Sequence, residues 1–95
     1  MKSPPPTSLI QLEIDGCIAN ISLARPDKFN ALNVQMITEL IEVFAWTAEN
    51  SVGTKGELYS EEGTPHFRIL TLSGHGKHFC AGADINMMRD AEDLV

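Results

Sequence analysis

The first part of the chain alternates between apolar and polar residues with the period of a β-strand. The stretch SLIQLEID shows this alternation, and CIANISLA repeats it a few residues later. A period of two places one face of a strand against a core, so both stretches are predicted to be strands. Asp15 ends the first stretch and Gly16 follows it, and this pair favours a tight turn, because glycine adopts positive φ readily. The pattern therefore predicts a β-hairpin.

A helical period follows after a short loop. The segment RPDKFNALN contains a proline together with the turn-forming residues Asp27 and Asn30, and it predicts a loop. From Asn33, a suitable N-cap, apolar residues recur every three or four positions to about Asn50. The predicted apolar side comprises Met36, Ile37, Leu40, Ile41, Phe44 and Ala48, and the polar side comprises Gln35, Glu39 and Glu42.

The second half of the chain predicts a loop, a strand and a helix. Residues 51–66 contain glycines, a proline and several ionisable side chains, and they predict an exposed, inserted loop that is longer than most connections. The mostly apolar run FRILTLSG is typical of a strand that is covered on both faces. The loop GHGKHFCAGA then leads to Asp84 and a short helical run. The order strand, strand, helix, strand, helix predicts an α/β fold with at least one crossover.

Composition and charge exclude several classes of function. The chain has 7 Lys and Arg against 13 Asp and Glu, a net charge of −6, whereas nonspecific binding to nucleic acid or to an anionic membrane needs a positive field. No apolar run approaches the roughly 20 residues of a membrane helix, and the start MKSPPPTSL lacks the apolar core of a signal peptide. Two cysteines, Cys17 and Cys80, fit a reducing compartment with free thiols. We therefore expect a protein of the cytoplasm, or of the mitochondrial matrix in a eukaryote.

The stretch HGKHFCAGADINMM contains most of the candidate chemistry. A zinc site would use His75, His78 and Cys80, but the second ligand pair that zinc sites usually show is missing, so no metal is expected. A phosphate-binding P-loop fails as well, because Thr71 and His78 stand where that motif needs glycine and a serine or threonine. The glycine spacing of a dinucleotide fingerprint is also absent.

Two hypotheses for the chemistry of this stretch remain: one uses the side chain of a cysteine and the other uses backbone N–H groups. Cys80 with His78 as its base would be a nucleophile, although a cysteine in this setting is more often a small buried residue. The run Ala81–Ala83 has minimal side chains, so a ligand can approach its main chain closely, and Asp84 can begin a helix. Unpaired N–H groups at a helix start suit a carbonyl oxygen that gains negative charge. The structural alternative is that the small residues only permit tight packing.

Two motifs, in this order, resemble the crotonase superfamily, the enoyl-CoA hydratase and isomerase family. ANISLARPDKFNALNVQMITEL is similar to its strand, R-P-x-x-x-N-A-L loop and helix, and RILTLSGHGKHFCAGADINMM to its strand, G-x-G-x-x-F-C-A-G-A-D loop and helix. The resemblance covers about residues 10–50 and 66–90. The segments NVQMITELI and FCAGADINMM are most similar to the methylglutaconyl-CoA hydratase branch. It implies that residues 1–95 are the N-terminal part of a crotonase-like spiral of β-β-α units, assembled as trimers or hexamers.

The resemblance also implies a function and a set of site residues. Family members act on acyl-CoA thioesters, which they take as substrate without a tightly bound cofactor, and they polarise the thioester carbonyl with two backbone N–H groups. By its position in the second motif, the N–H of Ala83 corresponds to one of these two groups. The second N–H and the acid/base glutamates match no position of this chain. The implied substrate contacts are Lys28, Ala31, Ala81, Ala83, Asp84 and Ile85.

Three functional hypotheses follow. The first is an enoyl-CoA hydratase-like lyase, of which this chain is a part. The second is a noncatalytic fragment that binds CoA or another subunit, because the catalytic carboxylates are missing. The third is an isomerase, thioesterase or dehalogenase of the same fold, and the sequence does not choose among these. The chain departs from the family pattern in residues 51–66 and at Asn86, where many members have lysine.

Overall fold

The two alternating stretches form the hairpin that their period predicts. In the computed structural model, which describes residues 2–92, β1 (Ile10–Asp15) pairs antiparallel with β2 (Ile18–Leu23). The two strands are joined by a two-residue turn in which Gly16 has a φ of 57°, a conformation that glycine adopts without strain. Alternate residues of β2 are buried, namely Ala19, Ile21 and Leu23.

A helix crosses from the hairpin to the third strand. The helix α1 (Val34–Glu49) begins at Asn33, whose side chain accepts a hydrogen bond of 2.8 Å from the N–H of Met36, as predicted for an N-cap. After α1 and a short helix α2 (Val52–Lys55), the strand β3 (Ile69–Gly74) lies parallel to β2, so the sheet order is β1-β2-β3. The last helix is α3 (Ile85–Glu92). The predicted α/β fold with a crossover is confirmed.

The core lies between the sheet and one face of α1. One cluster consists of residues that are at most 2% exposed: Ile10, Ile21, Leu23, Met36 and Val43. A second cluster joins Ala19 to Trp46 and Phe67, whose ring centroids are 5.4 Å apart. Together the clusters bind the helix to the hairpin, because each contains residues from both elements.

The face of α1 that packs on the sheet differs from the predicted one. Glu39 is only 7% exposed, whereas Ile41 is 63% and Phe44 is 37% exposed. Met36 faces the core as predicted, but the buried side continues through Val43 and Trp46 and not through Ile41 and Phe44. Ile41 and Phe44 form a second apolar stripe that the described residues leave exposed. The assignment of Glu39 to a polar, outward side is therefore wrong, because its carboxylate has specific partners in the interior.

Those partners are backbone groups at the start of β1. The Glu39 Oε1 atom accepts hydrogen bonds from the N–H groups of Ser8 (2.9 Å), Leu9 (2.9 Å) and Ile10 (3.2 Å). Gln35 Nε2 donates to the other carboxylate oxygen at 2.8 Å. Burial alone raises the pKa of Glu39, but these hydrogen bonds outweigh burial, and the pKa lies below its ordinary value. The charged carboxylate thus fixes the N-terminal segment to the helix.

β3 is exposed, although its apolar sequence predicts a strand covered on both faces. Ile69, Leu70 and Leu72 are 51%, 45% and 42% exposed. Within residues 2–92, β3 is an edge of the sheet with β2 as its strand neighbour. The Cα radius of gyration is 15.4 Å, compared with about 12 Å for a compact domain of this length. The prediction is wrong because the described residues do not supply the cover that the apolar pattern requires.

The segment of residues 51–66 is mostly exposed, as predicted, but it has internal structure. It contains α2 and an isolated bridge between Tyr59 and Pro65. His66 at its end is buried, and its Nδ1 atom lies 2.6 Å from the carbonyl oxygen of Glu57. That the segment is an insertion stays a prediction. None of the helices in the described part of the chain is long and apolar enough to cross a membrane.

We expect Glu39→Gln to lower the free energy of unfolding by about 1–2 kcal/mol at neutral pH, because a neutral amide oxygen accepts weaker hydrogen bonds than a carboxylate. Since folding lowers the pKa of Glu39, its contribution is fully present above the ordinary pKa of a glutamate and is lost as the pH falls through the folded-state pKa. Urea unfolding of both proteins across this pH range measures the difference. Glu42→Gln, on the exposed side of α1, should change stability by less than about 0.5 kcal/mol. A Glu39→Gln effect that did not vary with pH would contradict the assignment.

The exposed apolar side chains of α1 and β3 predict that the 95-residue chain associates with itself. Light scattering at micromolar concentration should give a mass above that of the monomer. Leu70→Lys on β3 should reduce this mass, whereas Leu58→Lys, which changes an equally exposed residue of the 51–66 segment, should leave it unchanged. If the unsubstituted chain were a monodisperse monomer that melts cooperatively, the predicted self-association would be contradicted.

Candidate functional site

The loop between β2 and α1 turns sharply through two left-handed residues. Residues Pro26–Lys28 form a 3-10 turn, and Phe29 and Asn30 follow with φ values of 53° and 58°. The N–H of Asn30 donates to the carbonyl oxygen of Arg25 at 2.9 Å and closes the loop. Non-glycine residues rarely adopt such angles, and asparagine is among those that tolerate them best. The first candidate loop is therefore a fixed turn.

The loop after β3 is joined to this first loop by a short parallel bridge. The N–H of Leu32 donates to the carbonyl oxygen of Gly82, and the N–H of Asp84 donates to the carbonyl oxygen of Leu32, both at 2.7 Å. In this pattern Ala83 is the residue opposite Leu32, and its own N–H points away from the bridge. Within residues 2–92, that N–H has no hydrogen-bond partner, and it is available to a ligand.

Asp84 begins α3 and forms an ion pair with the first loop. Its Oδ1 atom accepts a hydrogen bond of 2.8 Å from the N–H of Asn86, which confirms the predicted helix start. Its Oδ2 atom accepts one of 2.9 Å from Arg25 Nη1, which also donates to the carbonyl oxygen of Ala31 at 3.0 Å. The hydrogen bond from Arg25, followed by that from Asn86, holds the pKa of Asp84 below its ordinary value. Asp84 is therefore a paired carboxylate.

The two loops and the start of α3 enclose an open groove of about 420 Å³. All six residues that the motif implies as substrate contacts lie in its lining, so the structure brings the predicted set together. Phe29 and Ile85 give the lining exposed apolar surface, since they are 57% and 74% exposed. The nine lining residues are Asp27, Lys28, Phe29, Ala31, Ala81, Ala83, Asp84, Ile85 and Asn86.

The sequence did not place Asp27, Phe29 or Asn86 in the groove, and it predicted a turn at Asn30 without predicting that Arg25 and Asn30 join the two loops. Phe29 left a signal, because an aromatic residue in an otherwise polar loop is unusual. Its ring packs edge-to-face against His78, with centroids 5.0 Å apart. Arg25 and Asn30 are fixed positions of the R-P-x-x-x-N-A-L motif, but the motif does not identify their partners, which lie 45 to 59 residues away in the second loop.

In the part of the chain that the structure describes, no contact joins Cys80 to His78, the base that the nucleophile hypothesis requires. Cys80 packs at the margin of the core, and its Sγ atom lies 3.4 Å from the backbone nitrogen of Gly82. Both cysteines, Cys17 and Cys80, are free, as predicted. Within residues 2–92, no three histidine, cysteine or acidic side chains are grouped as a metal ion would need. Backbone N–H chemistry is therefore the hypothesis that the geometry favours.

Comparison with known proteins then shows the family. A family model described as enoyl-CoA hydratase/isomerase matches residues 13–93. The chain belongs to this family. The fold is accordingly the crotonase-like α/β fold that the two motifs implied. Membership of the methylglutaconyl-CoA hydratase branch stays a prediction.

Individual relatives of this enoyl-CoA hydratase/isomerase chain differ in named activity. YhaR of Bacillus subtilis, whose name places it in the same family, is 36% identical over 84 residues, which are 88% of this chain and 27% of YhaR. The 3-hydroxyisobutyryl-CoA hydrolase 1 of Arabidopsis thaliana is 30% identical over 78 residues, or 82% of this chain and 17% of that protein. The crystal structure of an enoyl-CoA hydratase from Shewanella pealeana superimposes with a TM-score of 0.72 at 31% identity, covering 93% of this chain and 28% of the other. The chain thus spans about a quarter or less of the length of these relatives.

We expect Arg25→Ala to raise the pKa of Asp84 toward its ordinary value, because the largest cause of its lowering is the hydrogen bond from Arg25. A carbon-detected NMR titration of the Asp84 carboxyl group measures this shift. Arg68→Ala removes an exposed arginine that makes no contact with Asp84 and serves as the control. An unchanged titration of Asp84 in Arg25→Ala would show that the ion pair does not form in solution.

Proposed function

We propose that this enoyl-CoA hydratase/isomerase family member binds an acyl-CoA thioester in the groove and acts as a hydratase-like lyase. The observation that carries the proposal is the unpaired N–H of Ala83, which is held in the lining of the groove by the bonds of its neighbours to Leu32. The thioester oxygen would accept a hydrogen bond from this N–H. Relatives whose names include CoA esters support the substrate class.

The chemistry of hydration explains why a fixed N–H is useful. Addition of water to an enoyl thioester passes through an enolate, whose oxygen carries more negative charge than the ground-state carbonyl. A fixed donor therefore stabilises the transition state more than the substrate and accelerates the reaction. The two bonds of Leu32 orient the donor before a ligand binds, so no reorganisation is needed during the reaction. The N-terminus of α3, which begins two residues later, adds a favourable dipole.

The remaining lining suits other parts of an acyl-CoA. Lys28 is exposed at the groove and would lie near the CoA phosphates, while Phe29 and Ile85 offer apolar surface to the less polar parts of the molecule. Ala81 would allow close approach to the main chain. The Asp84 carboxylate is already paired with Arg25 and the N–H of Asn86, so we give it no acid or base role. We assign no general acid or base among residues 2–92.

Thioester hydrolysis is a second candidate, and the 30% identity to 3-hydroxyisobutyryl-CoA hydrolase 1 favours it specifically. The same N–H would then stabilise the oxyanion of a tetrahedral intermediate. The two reactions leave different products: hydration retains the thioester, whereas hydrolysis releases the CoA thiol. A thiol-reactive dye added to the assay distinguishes them. Assembly as a homotrimer or hexamer stays a prediction.

A noncatalytic role in binding CoA or another subunit is tested on the 95-residue chain itself. Isothermal titration with acetyl-CoA should give binding if the groove holds the CoA portion. Binding without turnover of any thioester by the gene product would favour the noncatalytic role over both reactions.

We expect Ala83→Pro to lower kcat/KM for hydration of crotonyl-CoA or methylglutaconyl-CoA by about 100-fold or more, because proline removes the N–H donor. The assay uses the complete gene product that carries this chain. Ala83→Gly keeps the N–H and should retain activity within about threefold. Circular dichroism verifies that both variants fold. If Ala83→Pro also stayed within about threefold, the role assigned to this N–H would be wrong.

A further inference from the structure

Asn30 joins the two loops that form the groove, although it does not line the groove itself. It is fully buried, whereas its neighbours Pro26 to Phe29 are exposed. Its backbone is left-handed, with a φ of 58°. A buried amide at a strained backbone position is costly unless its polar atoms are paired.

The Asn30 side chain makes three hydrogen bonds, two of which reach the second loop. Its Oδ1 atom accepts from the N–H of Arg25 at 2.8 Å. Its Nδ2 atom donates to the carbonyl oxygens of His75 at 2.9 Å and His78 at 2.7 Å. Both amide hydrogens are therefore used, and the partners fix which side-chain atom is oxygen and which is nitrogen.

The second loop closes tightly around this amide. A Cβ atom added to Gly74 would lie 2.4 Å from the carbonyl oxygen of Phe79 and 2.9 Å from Asn30 Nδ2. The end of β3 thus approaches the backbone of Phe79 so closely that a side chain at position 74 would displace either the loop or the amide. Asn30 sits at the centre of this turn and donates to two of its carbonyl groups.

The hydrogen bonds from Asn30 to His75 and His78, here called the clamp, lie directly before the residues that carry the proposed chemistry. Asn30 fixes the second loop as far as His78, and Leu32 fixes it again at Gly82 and Asp84. The short stretch between the two attachments leads into Ala83. The direction of the Ala83 N–H therefore depends on both attachments, and loosening the first would allow the small residues before Ala83 to shift.

We propose that Asn30 is a positioning residue that orients the Ala83 N–H without lining the groove. The proposal rests on the proposed function of Ala83. An amide is required here because the site presents one N–H donor and two carbonyl acceptors. Aspartate has nearly the same shape but would place a carboxylate oxygen against two carbonyl oxygens. Glycine accepts the left-handed backbone but leaves the carbonyls of His75 and His78 unpaired.

The test compares Asn30→Gly with Val43→Ala in the complete gene product. Val43 is a fully buried core residue of α1 outside both loops, so its truncation lowers stability without touching the clamp. We expect Asn30→Gly to lower kcat by about 10-fold or more with KM within about threefold, because the misdirected donor matters most in the transition state. Val43→Ala should leave kcat and KM unchanged. Equal kinetics of the two variants would overturn the proposal.

Two further measurements separate positioning from a structural role and from the failure of the proposed function. In infrared spectra of a bound acyl-CoA, the thioester carbonyl stretch should move toward its value in water in Asn30→Gly and not in Val43→Ala. If Ala83→Pro retains activity, the proposed function fails whatever Asn30 does. If Ala83→Pro is inactive and Asn30→Gly behaves as Val43→Ala does, only the role of Asn30 fails.

Asn30→Asp covers the case in which Asn30→Gly does not fold. Burial and the two facing carbonyl oxygens should raise the pKa of the new carboxyl group, and its protonated form can donate one hydrogen bond. The ratio of variant to wild-type kcat should therefore rise as the pH falls. A ratio that is constant across the pH range would contradict the clamp.

Discussion

The short bridge between Leu32 and the backbone of Gly82 and Asp84 is the interaction on which the candidate site depends. β2 and β3 are parallel, and Leu23 pairs with Gly74 at the end of both strands, so the two following loops leave the sheet at the same edge. The side chains of Asn30 and Arg25 also join these two loops. The bridge pairs the polar groups on either side of Ala83 and leaves its N–H as the group that a ligand can reach. The two hydrogen bonds of Leu32 thus hold the Ala83 N–H in place and also leave it without a partner of its own.

The electrostatics of the groove follow from contacts that lie next to this bridge. A chain with a net charge of −6 repels an anionic ligand over most of its surface, and Asp84 lies within the lining itself. Arg25 compensates that charge locally through its hydrogen bond to Asp84. Lys28 then contributes an exposed positive charge at the groove. Asp27 also lies in the lining, so Arg25 and Lys28 together balance the two carboxylates in formal charge, whereas the chain as a whole is acidic.

How much of this could be read from the sequence depends on the range of the interactions. The hairpin, the start of α1 at Asn33 and the start of α3 at Asp84 were predictable because each depends on residues a few positions apart. The six implied site residues came from a family motif, and the structure places them in one groove. The burial of Glu39 was not predictable, since its backbone partners lie 29 to 31 residues earlier. The contacts of Asn30 span 45 and 48 residues and escaped prediction for the same reason.

The exposed stripe of α1 and the exposed strand β3 share one physical cause. Both carry apolar side chains that favour burial, and they meet in an apolar groove of about 190 Å³ whose lining includes Phe44, Ile69 and Leu70. A pattern of apolar residues shows which side chains favour burial, but it does not show what packs against them. The apolar side chains of α1 and β3 could therefore be identified from the sequence, whereas the structure that would cover them could not. α1 follows the first loop and β3 leads into the second. Any polypeptide that covers this surface would therefore restrain the two elements that carry the candidate site, and packing on one side of the sheet would stabilise the geometry of Ala83 at its edge.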